Sequence, residues 1–251
     1  MKNALILTGC FLVFALQAQE KQDKTEFKKT YWASVSELIF SAADLGNVRL
    51  YEDGVNYVQE PEANLANPIP RFSAFFHAAQ QYHVNFARFA GIYTGLGIRN
   101  IGMINNLNDT LRIKQRAYGI SIPLALKLGN MENRSYLSLG AEAEYMFHYK
   151  QKVFVGEGRG DKDNKTSAWF SNRVNAFNPG VFVEYNFGKS GYFRLKYYLN
   201  DFLNSSKRQD FKVGGKAMYF TSERSTLFSL TFGKVVAGKK RRTTTKKKAV
   251  N

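Results

Sequence analysis

Three histidines, one cysteine and a few glycine-rich runs are the places where this 251-residue sequence could do chemistry. A metal site needs several His, Cys or carboxylate ligands at close, regular spacing. His77, His83 and His148 show no i,i+4 pairing and no carboxylate at ligand spacing, so they suggest no metal. "GLGIRNIG", residues 95–102, has glycines reminiscent of a dinucleotide fingerprint, but it lies inside a strand-like segment with no helix behind it. "GEGRGDK", residues 156–162, lacks the Gly-Lys-Ser/Thr ending of a phosphate-binding loop. It contains Arg159-Gly160-Asp161, an adhesion-type tripeptide that arises readily by chance. His148 with Ser167 or Ser171 offers the residue types of a lipid hydrolase or acyltransferase, yet no third partner is visible. The expectation is a protein that is not an enzyme, with no catalytic residues, no cofactor and no metal.

The charges are more orderly. In "YLSLGAEAEYMFHYK", residues 136–150, the odd positions up to 149 read Leu, Leu, Ala, Ala, Tyr, Phe, Tyr. The even positions from 136 read Tyr, Ser, Gly, Glu, Glu, Met, His. Successive strand side chains point to opposite faces, so a strand here has an apolar face and a face carrying Glu142 and Glu144. The same parity places Glu37, Arg99, Lys127, Glu184, Arg194 and Lys196 opposite the apolar side of their own segments. Gly91, Gly95, Gly97, Gly119, Gly140 and Gly180 share that charged face, which suits a crowded interior. Residues that face each other across a hairpin point to one side, so Glu184 is expected to oppose Arg194 or Lys196. In an interior with little water such charges have to be paired. Together the eight form an expected lumen charge network.

Strands must position these faces. Alternation recurs over residues 37–42, 71–82, 89–102, 113–128, 136–149, 179–187, 192–199 and 226–233, an even number of segments. Residues 83–88, 129–135 and 188–191 are short and turn-like, whereas 43–70, 150–174 and 200–225 are long and polar. Only 105–111, "NNLNDTL", is a short linker on the long side. A soluble sandwich or calyx has no reason to gather its long loops at one end; an outer-membrane barrel does. The mean hydropathy of −0.35 would suit a soluble chain, but lumen-facing residues lower it in a barrel of this kind. The expected fold is all-β, an eight-stranded antiparallel transmembrane up-and-down β-barrel. The odd face of 136–149 would then meet lipid and the even face the lumen. At this strand number side chains fill the interior, so a wide pore is not expected, although a small channel is the natural alternative.

The ends fix the compartment. Lys2, the apolar run Ala4 to Leu16 and the small Ala18 read as a secretory signal peptide over residues 1–18. A lipoprotein reading of Leu7-Thr8-Gly9-Cys10 is weakened because the apolar run continues past the cysteine. Since Cys10 is the only cysteine, cleavage leaves a chain without disulfides or thiol chemistry. Residues 19–30 form an N-terminal periplasmic segment, 31–236 the barrel and 237–251 a basic periplasmic tail. The tail carries Lys239, Lys240, Arg241, Arg242, Lys246, Lys247 and Lys248 without one acid, so it cannot bury apolar surface and should be disordered. Expected partners are outer-membrane lipid and, through the tail, an anionic periplasmic surface or envelope protein, with no nucleic acid. Both termini would be periplasmic.

"AGIYTGLGIRNIGMI", "RAYGISIPLALKLGN" and "FRLKYYLNDFLN" resemble the outer-membrane β-barrel family of Bacteroidota that includes the PorT-like proteins. In that family a strand with an isoleucine–proline–leucine core, here Ile122-Pro123-Leu124, precedes a short periplasmic turn. The resemblance spans residues 31 to 236 and implies a barrel with a structural, secretion or assembly role in the envelope. The basic end after Lys234 departs from the family pattern, which closes near the last aromatic strand.

Overall fold

The computed structural model describes residues 27–52, 67–74, 77–156, 160–188 and 191–237. The expected signal peptide and the seven cations of the basic tail lie outside them. Among the described residues every regular element is a strand. In chain order these are β1 (Thr30–Asp44), β2 (Val48–Glu52), β3 (Asn67–Ile69), β4 (Arg71–Ser73), β5 (Ala78–Asn85), β6 (Ala90–Asn106) and β7 (Leu111–Asn130). They continue with β8 (Ser135–Val155), β9 (Asp161–Trp169), β10 (Phe177–Phe187), β11 (Tyr192–Tyr198), β12 (Gln209–Val213), β13 (Lys216–Ser222) and β14 (Thr226–Ala237).

Eight of these close on themselves. The ring runs β1, β5, β6, β7, β8, β10, β11, β14 and back to β1, every pair antiparallel. Neighbours in the ring are neighbours in sequence, so this is an up-and-down barrel. The closing pair is β1 with β14, in register from Ala33↔Ala237 to Asp44↔Thr226. Closure removes the unpaired edges that an open sheet would present. Each alternating segment read from the sequence contributes one ring strand. The segment 71–82 contributes two pieces, because β4 pairs β1 at Ile39 to Ser41 and β5 takes over from Ser36 downward. Pro68 within β3 and Pro70 between β3 and β4 cannot donate backbone hydrogen bonds, which keeps both strands short.

The outer surface is apolar over a continuous band. On β7 alone, Ile120, Ile122, Leu124, Leu126 and Leu128 are exposed. Exposed aromatics bound the band, with Trp32, Phe86 and Phe89 at the end of the short turns and Trp169, Phe170 and Phe177 at the other. From Leu128 to Tyr118 the strand covers about 33 Å, which at a tilt of about 40° gives a barrel height of about 25 Å.

Two expectations are corrected. The long connections are not loops throughout. Pieces of two of them pair into a three-stranded sheet, β12-β13-β2, outside the ring, and β9 extends β8 beyond the point where β10 leaves it. The second correction concerns the faces of β8. Tyr118 is opposite His148 and Gly119 opposite Met146, so Phe147 is an extra residue, a β-bulge. One extra residue reverses parity. Below it Tyr136, Ser138, Glu142, Glu144 and Met146 point inward; above it Tyr149, Gln151 and Val153 do. Tyr149, expected on the lipid face, is therefore fully buried, and His148, expected in the lumen, points outward.

The interior has three storeys. Tyr31, His83, Tyr93 and Tyr136 crowd the end of the short turns. Charged residues occupy the middle. Above them an apolar cluster that includes Ile101, Tyr149, Phe202 and Phe220 fills the wide end, with Leu50, Phe211 and Phe220 supplied by the three-stranded sheet. That sheet is a lid that shares the core of the upper barrel, and each fully buried Phe contributes about 1.5–3 kcal/mol of apolar transfer.

Candidate functional site

The middle storey concentrates buried charged groups from five strands of the ring. Arg99 from β6 reaches past β5 to Glu37 on β1, donating Nη2 to Oε1 at 2.8 Å and Nε to Oε2 at 2.9 Å. This is a bidentate guanidinium–carboxylate pair, the strong form of the interaction. The other arm of Arg99, Nη1, contacts Glu142 on β8 and lies 3.5 Å from Glu144. Lys196 on β11 donates to both of those acids, at 2.9 Å to Glu142 and 2.6 Å to Glu144. Arg194, two residues earlier, gives Nε and Nη2 to Glu184 Oε2 at 2.9 and 2.6 Å. Its Nη1 stands 3.7 Å from Glu37 and 3.6 Å from Glu142, which ties the two pairs into one network. Glu184 and Arg194 are directly opposed in the β10–β11 register.

Here four carboxylates meet three cations. Tyrosine hydroxyls offset the excess negative charge. Tyr93 donates to Glu184 at 3.1 Å, Tyr198 to Glu144 at 3.1 Å, and Tyr192 to Glu37. All seven ionic side chains are buried. The pairing is not complete, since Glu142 Oε1 and Arg194 Nη1 lack hydrogen-bond partners among the described residues. Each ion has at least one close partner, and removing that partner would strand it in a low-dielectric interior. Two glycines make the space. A methyl group at Gly180 would come within 2.7 Å of Lys196 Cε, and one at Gly233 would collide with the Tyr192 ring.

Lys127 is the exception among the expected network residues. It is buried in the lumen, but its Nζ reaches Asn85 Oδ1 at 2.6 Å and His83 Nδ1 at 3.3 Å rather than a carboxylate. The faces of Tyr31 and Tyr136 lie 5.4 and 5.2 Å away, a cation–π cage in the aromatic storey. Parity identifies its face and not its height: Lys127 sits near the turn end of β7, a storey below the acids.

A polar cluster that the sequence reading did not single out lies just above the network. Arg71 donates to the Asn100 carbonyl at 3.0 Å and to its side-chain oxygen at 2.7 Å. His77 Nδ1 accepts the Asn100 N–H at 3.2 Å, which leaves Nε2 as the protonated nitrogen, donating to Ser73 Oγ at 2.7 Å. The usable signal was register, since Arg71 faces Ser41 and Ser41 shares the Glu37 face of β1.

Outside the barrel, His148 Nε2 stands 3.0 Å from Ser167 Oγ, beside Trp169. Its Nδ1 has no hydrogen-bonding partner among the described residues, so no third group orients the ring. Arg159 of the adhesion-type tripeptide is outside the described residues. Among the described residues no group of three or more His, Cys, Asp or Glu is placed to hold a metal ion.

No family model matches the chain, and no curated protein matches it in sequence. Among solved structures it is similar to the attachment invasion locus protein Ail of Yersinia pestis in complex with the heparin analogue sucrose octasulfate. The identity is 11%, the match covers 80% of this chain and 98% of that one, and the TM-score is 0.28. It is also similar to the outer membrane protein OprG of Pseudomonas aeruginosa, at 10% identity over 83% of this chain and 97% of that one, with a TM-score of 0.39. These scores are low, and the closed ring stands on its own strand register.

Proposed function

We propose that the protein is a non-enzymatic outer-membrane barrel of a Gram-negative envelope, sealed along its axis, with a structural or assembly role. The observation that carries this is the combination of an apolar outer band with an interior cross-linked by ion pairs. Leucines, isoleucines and aromatics exposed over a height of about 25 Å match the lipid-facing band of such barrels. A soluble protein would leave this surface in water at great cost. Inside, Arg99 on β6 and Arg194 on β11, opposite each other in the ring, share Glu37 and Glu142 as partners, and the apolar storey with its three-stranded lid lies above them. Such an interior supports a plug rather than a channel. The His148–Ser167 contact has no orienting acid among the described residues, which favours the non-enzymatic reading.

The residues that resemble PorT-like proteins support a narrower reading, a component associated with secretion or envelope assembly. Both termini would then be periplasmic, with the signal peptide removed. The test is fractionation of the native envelope combined with gel mobility. The protein should co-purify with outer membranes, resist carbonate extraction and migrate faster unheated than boiled. Recovery as a soluble periplasmic species with one mobility would end the membrane reading.

A further inference from the structure

Above the Phe147 bulge, the outward faces of β7, β8 and β9 run side by side in three rungs. The first rung is aromatic: Tyr118, His148 and Trp169 face one another, with ring centroids 5.5 and 4.7 Å apart. The second sets Arg116 opposite Lys150, with Ser167 on β9. The third sets Lys114, Lys152 and Lys165 in a row. Like charges directly opposite one another destabilise a sheet. Here that cost is incurred at five positions on adjoining rungs. Among the described residues no salt bridge joins Arg116, Lys150, Lys152 or Lys165 to an acid. Asp163 of β9 accepts the Gly214 N–H at 3.1 Å, in the hairpin of the lid.

The height of these rungs identifies what neutralises them. The aromatic rung ends the apolar band, where amphipathic rings mark a membrane interface. Two residues along a strand advance about 6.6 Å, or about 5 Å along the axis at a tilt of about 40°. The two cationic rungs therefore stand about 5 and 10 Å above the hydrocarbon edge. The head-group layer is about 5–8 Å thick on each side. Arg116 and Lys150 lie within it, and the lysine row stands just beyond it.

We propose that this three-strand face is a binding surface for the phosphorylated head groups of glycolipid in the outer leaflet. The proposal rests on the membrane reading of the barrel. Phosphates at this depth would lie between the two rungs, and the aromatic rung would pack against the first carbons of the acyl chains. A soluble polyanion outside the cell would not explain why the charges begin directly above the aromatic rung.

The test uses full-length protein refolded in mild detergent, with folding verified separately by the unheated gel shift. Native mass spectrometry then counts adducts of bisphosphorylated lipid A, of dephosphorylated lipid A, and of a soluble sulfated polysaccharide. The wild type should retain the bisphosphorylated lipid and lose most of that binding with the dephosphorylated one. The variant combining Arg116→Gln, Lys150→Gln, Lys152→Gln and Lys165→Gln should bind at least about a hundredfold more weakly, since each cation at an anionic surface adds severalfold. Equal binding of the two lipids by the wild type overturns the proposal, whether or not the variant folds. Preference for the soluble polysaccharide over either lipid overturns it too, and assigns the face to an external partner. A wild type without a gel shift would instead fail the membrane reading itself.

Discussion

At the scale of single residues, the interior is a test of pairing. Glu184 is buried, takes two hydrogen bonds from Arg194 and one from Tyr93, and has no water-exposed route to compensation. Glu184→Ala would leave Arg194 with only the longer contacts to Glu37 and Glu142. The expected loss is about 3–5 kcal/mol, the usual effect of breaking a buried ion pair from one side. It is measured as a lower midpoint in the gel-shift unfolding curve, and an unchanged midpoint would mean that the lumen is wet at this height. Glu184→Gln, which keeps an acceptor for Arg194, should fall between the two. That Glu184 opposes a cation on the next strand, Arg194 or Lys196, is legible in the sequence because parity holds across a tight turn; that it is Arg194 is fixed only by the register. The isolation of Lys127 is not, because alternation reports a face and is silent on height along the axis.

At the scale of elements, alternation identifies the ring strands well, since half-buried strands impose a period of two on every one of them. It fails where one residue is inserted. Nothing in "MFHYK" announces that Phe147 is bulged, and the insertion exchanges the faces of Tyr149 and His148. The lid is hidden for a different reason. β2, β12 and β13 are short, are drawn from connections far apart in sequence, and find their pairing only in three dimensions. Phe220 carries the lid into the upper core, fully buried against Phe211. Phe220→Ala should cost the lid about 3–5 kcal/mol, the range for a large aromatic removed from a core. Limited proteolysis gives the readout: the β12–β13 hairpin should be cut faster while the barrel keeps its gel shift. Loss of the shift as well would show that lid and ring unfold as one unit.

At the scale of the whole molecule, three layers of different chemistry close one tube: an aromatic end, an ionic middle and an apolar top. The formal charge of +16 is distributed unevenly, with seven cations between residues 238 and 251. β14 ends at Ala237, opposite Ala33, at the end of the short turns. If the tail docks on anionic periplasmic surfaces, full-length protein should bind purified cell wall at low salt and lose that binding on truncation after Ala237. Binding by the truncated form at the same strength would leave the tail a solvated end.

The central claim is that the barrel spans a membrane and is closed along its axis. Conductance across a planar lipid bilayer tests it most directly, with protein whose insertion has been verified by flotation with vesicles and by the unheated gel shift. The expected trace is flat, with no steady openings, because Arg99 and Arg194 bridge the lumen and the upper core fills it. Large, stable openings from the inserted wild-type protein would contradict the account.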